Sequence, residues 1–93
     1  MAKRKGTVSQ MPLFMDVHNK VAGVKASDVA AAHKKDLETQ GKYGVKYLKY
    51  WFDEGNGRIY CLAEAPNKEA AIRVHREAHG LVPDEINEVT ENT

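Results

Sequence analysis

Two histidines, His75 and His79, stand four residues apart in a segment of helical character. Residues with this spacing lie on the same face of a helix, so both imidazole rings can reach one divalent ion, as paired histidines do in zinc sites. The pair alone is a weak signal, because His79 precedes Gly80, where a histidine also interacts favourably with the negative end of the helix dipole. Further donors near the pair therefore decide whether it predicts a metal site.

Two further histidines and two carboxylates supply such donors. His33 lies on an apolar stripe of its predicted helix, and Asp36 follows on the same flank, where a carboxylate can hold the second ring nitrogen of a metal-binding histidine. His18 ends the first predicted strand, and Glu85 begins the last one. The predicted metal ligands are His33, His75, His79, His18, Asp36 and Glu85.

The remaining sequence predicts the elements that position these donors. Ser27 and Asn67 are candidate N-caps, while Gly41 and Gly80 suit the left-handed residue that ends a helix. The glycine-rich residues 53–57 predict a hairpin turn between two strands. The predicted order is a strand over about 13–19, a helix over 28–40, strands over 45–52 and 58–65, a helix over 67–79 and a strand over 85–90.

This β-α-β-β-α-β order predicts an α+β, ferredoxin-like sandwich with a four-stranded antiparallel sheet and both helices on one face. In that topology the end of the first strand, the first half of helix one and the end of helix two meet at one end of the molecule. All four histidines should therefore converge there.

Alternation along the strands predicts which side chains face the helices. We expect the inward set to be Leu13, Met15, Val17, Leu48, Tyr50, Phe52, Ile59, Cys61 and Ala63. The opposite face should carry Phe14, Asp16, His18, Tyr47, Trp51, Tyr60 and Leu62. On this assignment His18 reaches the helix side only if its strand twists or bulges. So much apolar surface on the open face predicts a homodimer.

Composition and charge narrow the possible functions. The lone cysteine, Cys61, cannot form a disulfide within the chain, and together with the lack of a long apolar segment this predicts a cytoplasmic protein that does not span a membrane. We expect residues 1–10 to be a disordered basic leader and residues 11–93 to be one domain. Without Lys3, Arg4 and Lys5, 11 basic residues face 13 acidic ones, so a nucleic-acid partner is not expected.

The identity of the metal is open at this level. Imidazole and carboxylate donors suit Zn²⁺, Ni²⁺ and Cu²⁺ alike. Cys61 is an alternative thiolate ligand, although a buried cysteine is more often a small hydrophobic residue. Asp84, beside Glu85, is a second possible oxygen donor.

The segments MDVH, AAH and VHREAHGL give the chain a resemblance to a known family. Over about residues 11–90 it resembles small bacterial nickel-binding proteins with a ferredoxin-like fold. The resemblance implies a homodimer that binds Ni²⁺ in sequestration or metal tolerance. It assigns no ligands, and the basic leader is not part of the family pattern.

Two other functions compete with metal binding. A dimeric α/β-barrel enzyme acting on a small molecule, of the monooxygenase or isomerase type, would use His18 or His33 as a general base. An RNA-recognition domain shares the topology, but its third strand is basic and rich in glycine and aromatic residues, whereas here that strand reads RIYCLAEA. Metal binding without catalysis is therefore the favoured interpretation.

Overall fold

A computed structural model describes residues 11–92, which form four strands and two helices. The leader predicted at residues 1–10 lies outside these described residues. The elements are β1 (Leu13–His18), α1 (Ala26–Thr39), a 3₁₀ turn (Gln40–Tyr43), β2 (Lys46–Asp53), β3 (Arg58–Glu64), α2 (Lys68–Ala78) and β4 (Glu85–Val89).

The sheet is antiparallel throughout, with the strand order β2-β3-β1-β4. The helices pack against one face, where Val29 of α1 and Val74 of α2 join Phe14, Tyr47 and Ile59 of the sheet in a single buried cluster. The predicted ferredoxin-like architecture is thus confirmed. It places β1, the strand that carries His18, at the centre of the sheet between β3 and β4.

Local signals account for most of the element boundaries. The side chain of Asn67 accepts a hydrogen bond from the backbone N–H of Ala70 at 2.9 Å, which is the predicted N-cap of α2. Gly80 follows that helix with a φ of 81°. At α1 the predictions miss by a few residues. The helix begins before Ser27, and Gly44, with a φ of 67°, takes the left-handed role expected of Gly41 because a 3₁₀ turn extends the helix.

The predicted facing of β1 is wrong. Phe14, Asp16 and His18 are buried against the helices, whereas Leu13 and Met15 line a groove on the open face of the sheet. Alternation alone separates the two faces of this strand without showing which one meets the helices, and the prediction turned outward the face that carries two polar side chains. Asp16 and His18 are tolerated inside because buried polar groups that bond to one another avoid most of the desolvation cost.

The predicted facing of β2 is wrong in its first half only. A register shift between Tyr47 and Lys49 places Tyr47 in the core and leaves Leu48 exposed. Beyond this bulge Tyr50 and Phe52 pack against the core as predicted. A bulge adds one residue to a strand, so every side chain before it changes face relative to a regular register.

The open face of the sheet remains broadly apolar. Trp51 is 47% exposed, and it lies with Leu13, Met15 and Leu62 along a groove of about 590 Å³. Neither helix among residues 11–92 is long and apolar enough to cross a membrane.

Candidate metal centre

The imidazole of His75 lies between two buried carboxylates. Its Nδ1 atom donates to Oδ1 of Asp36 at 2.8 Å, and its Nε2 atom donates to Oδ2 of Asp16 at 3.0 Å. All three residues are at most 2% exposed. They come from α2, α1 and β1, so this contact ties both helices to the centre of the sheet.

Helical spacing explains why His75 and Asp36 point inward. His75 stands four residues after the fully buried Ala71, and Asp36 stands seven residues, or about two turns, after the buried Val29. Each polar side chain therefore continues an apolar stripe at the interface between helix and sheet. Asp16 meets them because it points to the same side of β1 as Phe14.

The carboxylates keep His75 protonated. Burial alone would lower the pKa of His75, but the hydrogen bonds to Asp16 and Asp36 outweigh it and raise the pKa to about 11. Burial would likewise raise the pKa of both aspartates, yet hydrogen bonds from histidines hold both values below the usual range, and Tyr47 adds a further hydrogen bond to Asp16. With both carboxylates ionised and His75 protonated, these three side chains carry one net negative charge.

His18 and Cys61 lie on the sheet side of this contact. His18 is 3% exposed, its ring centroid is 5.0 Å from that of His75, and its Nε2 atom is 3.3 Å from Oδ1 of Asp16. Cys61 is buried on β3 directly opposite Asp16 in the sheet register. One donor atom from each of Asp16, His18, Cys61 and His75 lies within 4.8 Å of the others, and we call these residues the inner donor set.

His79 lies on the other side of His75. Its Nδ1 atom accepts from the backbone N–H of Leu81 at 3.1 Å, so the ring proton is on Nε2, which lies 3.0 Å from Oδ1 of Asp36. Asp36, His75 and His79 form a second group of mutually close donors, which we call the outer donor set. The two sets share His75.

His33 belongs to neither donor set. Its ring packs at a centroid distance of 4.7 Å from Tyr50, and its buried Nδ1 atom has no hydrogen-bond partner among the described residues. Burial lowers the pKa of His33, with Asp36 opposing that effect. Nevertheless His33 borders the same cavity as the other three histidines, so the predicted convergence of all four is observed.

The comparisons with known proteins agree with this architecture. The family described as nickel responsive protein SCO4226-like matches residues 14–89. The chain belongs to this family. A crystal structure of SCO4226 from Streptomyces coelicolor A3(2) is similar to it, with 40% sequence identity and a TM-score of 0.82, over 87% of this chain and 99% of that chain. No curated protein sequence matches the chain.

The donors of this SCO4226-like chain fit a divalent transition metal. The inner donor set combines nitrogen, oxygen and sulfur ligands, a mixture that suits Ni²⁺, Zn²⁺ and Cu²⁺. Nδ1 of His18 is buried and lacks a hydrogen-bond partner within the described part of the chain, and Oδ1 of Asp16 has no hydrogen bond there beyond its 3.3 Å contact with Nε2 of His18. Asp16, Asp36 and protonated His75 together carry one net negative charge. If His75 lost its extra proton and a divalent ion bound, that net charge would be neutralised. A buried ring nitrogen without a hydrogen bond, a weakly bonded carboxylate oxygen and uncompensated negative charge all favour a cation here.

Of the six predicted ligands, some lie in the two donor sets and others lie outside them. His18, His75, His79 and Asp36 lie in the two donor sets, and His33 borders their cavity. Glu85 is exposed at the start of β4, outside both sets, and its role as a ligand stays a prediction. Asp36 bonds to His75 and His79 rather than to His33 as expected.

Sequence reasoning missed Asp16 and Tyr47. The hydroxyl of Tyr47 donates to Oδ2 of Asp16 at 2.7 Å, which fixes the carboxylate from the β2 side. The only available signal was the spacing of Asp16 and His18, which places both side chains on one face of a strand. The bulge that turns Tyr47 inward has no glycine or proline to mark it.

Proposed function

We propose that the protein binds a divalent transition metal, with nickel as its physiological ion, and thereby sequesters it. The observation that carries this proposal is the burial of His75 between Asp16 and Asp36, with His18 and Cys61 within reach. Burying several ionisable groups together costs desolvation free energy, and such clusters are typical of functional sites. Binding of a metal ion would account for this one. The family description supports nickel.

The inner donor set would hold the ion directly. Its four donor atoms are enough for a four-coordinate site, and a metal would convert the thiol of Cys61 to a thiolate although burial raises its pKa to about 11. Asp36 would then accept the remaining ring N–H of His75, and such a carboxylate orients the ring and increases its basicity. His79 would hold Asp36 in position through the contact between Nε2 of His79 and Oδ1 of Asp36.

The rival enzymatic function has less support. The cavity beside His18 and His33 measures about 20 Å³, which is room for about one water molecule. Sites for organic ligands are usually at least about 300 Å³. This size favours a metal with a small ligand over a general base acting on an organic substrate.

The open sheet face supports a further proposal, that the protein is a homodimer. Trp51, Leu13, Met15 and Leu62 would be covered by the same face of a second copy, because apolar side chains gathered along one open groove are typical of a surface that contacts a partner. We also place the protein in the cytoplasm, where the free thiol of Cys61 would stay reduced.

Calorimetric titration with nickel tests the metal site. Full-length protein should bind Ni²⁺, and His75→Gln should weaken binding by about 100-fold or more, since it removes the ligand shared by both sets. Arg76→Gln, an exposed neighbour on α2, is the matched control, and circular dichroism verifies that both variants fold. Equal nickel affinity in His75→Gln and wild type would refute the proposed site.

A further inference from the structure

Tyr47 contacts two members of the inner donor set without belonging to it. Its hydroxyl donates to Oδ2 of Asp16 at 2.7 Å, and its ring packs against that of His75 at a centroid distance of 4.6 Å. Only 3% of the residue is exposed. The side chain therefore touches both a carboxylate and an imidazole that would bind the ion.

The backbone of Tyr47 is held in place as well. Its N–H donates to Oε1 of Gln40 at 2.8 Å, and Gln40 begins the 3₁₀ turn that follows α1. The register shift between Tyr47 and Lys49 keeps the ring in the core. Since a hydroxyl on a packed ring and an anchored backbone has little freedom, it would hold Asp16 in one orientation.

The two carboxylate oxygens of Asp16 have different surroundings. Oδ2 accepts from the hydroxyl of Tyr47 and from Nε2 of His75, whereas Oδ1 has only the 3.3 Å contact with Nε2 of His18. An ion bound to Nε2 of His75 would replace the proton that this nitrogen donates to Oδ2. Tyr47 would then be the hydrogen-bond donor that Oδ2 keeps among the described residues, and Oδ1 would be the oxygen with more lone-pair capacity for a cation.

The hydroxyl of Tyr47 acts here as a donor rather than as a ligand. An ionised carboxylate only accepts hydrogen bonds, so the proton between the two oxygens belongs to Tyr47. Burial raises the pKa of Tyr47 above its usual value, and the nearby charge of Asp16 raises it further, so the hydroxyl keeps this proton. Its other acceptor, the backbone carbonyl of Ala71, is more distant at 3.3 Å.

We propose that Tyr47 is a positioning residue of the metal site, whose hydrogen bond to Oδ2 makes Asp16 a monodentate ligand through Oδ1. This inference rests on the proposed metal site. A carboxylate can bind an ion through one oxygen or through both, and the two modes give different coordination numbers. By engaging one oxygen, Tyr47 would keep the centre four-coordinate, with Asp16, His18, Cys61 and His75 as its ligands.

Cobalt substitution of the full-length protein tests this role, because the visible absorption of Co²⁺ reports its coordination number and its thiolate ligands. Tyr47→Phe keeps the ring and removes only the hydroxyl, and circular dichroism verifies that the variant folds. It should bind Co²⁺ about tenfold more weakly than wild type, the usual cost of losing a group that holds a metal ligand. Its ligand-field bands should weaken, because Asp16 can then bind through both oxygens, while the charge-transfer band of the Cys61 thiolate persists.

Tyr60→Phe is the matched control. Tyr60 precedes the buried Cys61 on β3, so its half-buried side chain points to the opposite face of the sheet, and this variant should match wild type in cobalt affinity and spectrum. Wild-type affinity and spectrum in Tyr47→Phe would overturn the inference. Weaker binding with unchanged ligand-field bands would also overturn it, because Tyr47 would then support the site without selecting an oxygen.

A crystal structure of the nickel-loaded protein provides a readout that needs no variant. We expect Oδ1 of Asp16 to contact the ion while Oδ2 still accepts from Tyr47. An ion bound through Oδ2, or through both oxygens, would overturn this inference and leave the proposed metal site intact. A wild-type protein that binds neither Ni²⁺ nor Co²⁺ would overturn the proposed function and this inference together.

Discussion

The ring of His75 reaches Oδ2 of Asp16 at 3.0 Å across 59 residues of sequence. This contact joins the end of α2 to β1, one of the two inner strands of the sheet. Because Asp36 holds the other ring nitrogen, the imidazole has one fixed orientation before any ion arrives. Fixed donors of this kind reduce the reorganisation that metal binding would otherwise require.

The stability of the metal-free protein should depend on pH through His75. Its pKa rises from 6.5 to about 11 on folding, so the stabilisation is complete below pH 6.5 and is lost as pH rises toward 11. Asp16 and Asp36 have lowered pKa values, so their contribution is present above pH 3.8 and is lost as pH falls below it. Stability should be greatest between about pH 4 and 6.5.

Urea unfolding with a chelator present, at pH 6.5, 7.5 and 8.5, measures this dependence. The free energy of unfolding should fall by about 1.4 kcal/mol per pH unit from this one group. His75→Gln should be flatter over the same range. A wild-type protein whose stability is constant from pH 6.5 to 8.5 would show that His75 is not held protonated.

Asp36→Asn should weaken nickel binding by about 10- to 100-fold, the usual cost of losing the carboxylate that orients a metal-binding histidine. An amide lacks the charge that raises the basicity of His75. Glu38→Gln, exposed on the same helix, is the control, and calorimetry gives both affinities. If Asp36→Asn were as damaging as His75→Gln, Asp36 would have to be a ligand itself.

Trp51→Glu should shift the proposed homodimer toward monomer, because it would place a charge without a partner in the apolar groove. Sedimentation velocity over a range of protein concentrations measures the change. Lys68→Glu, at the exposed start of α2, should leave association unchanged. Wild-type protein that sediments as a monomer at all concentrations would contradict the dimer.

Removal of residues 2–10 should leave folding and nickel binding intact, since the donors all lie between Asp16 and His79. The melting temperature should stay within about 2 °C of wild type, a change below that of a 1 kcal/mol loss. Nickel affinity should change by less than about twofold. A larger loss of either quantity would give the leader a role in the folded domain.

The sequence was sufficient to predict the element order and the meeting of the histidines. Asn67, Gly80 and the 53–57 turn are local signals that act through backbone hydrogen bonds and positive φ angles, and they hold in the folded chain. The order of the elements determines the topology, and in that topology the ends of β1 and α2 lie at the same end of the molecule. His18 and His75 therefore meet although no local signal links them.

The inner donor set was harder to predict because it reverses the usual relation between polarity and burial. Asp16 was assigned to the open face by its charge, yet it is 1% exposed. The reason lies in tertiary contacts with Tyr47 and His75, which no strand periodicity reveals. The bulge in β2, which brings Tyr47 to that carboxylate, is equally invisible in the pattern.

The position of bound nickel tests the central claim most directly. Anomalous diffraction at the nickel edge, from crystals of nickel-loaded protein, locates the ion without reference to the expected ligands. We predict a peak within about 2.0–2.3 Å of donor atoms of His75, His18 and Cys61, the range for nitrogen and sulfur ligands of such ions. Nickel that occupies only surface positions, with His75 still bonded to both Asp16 and Asp36, would contradict the account.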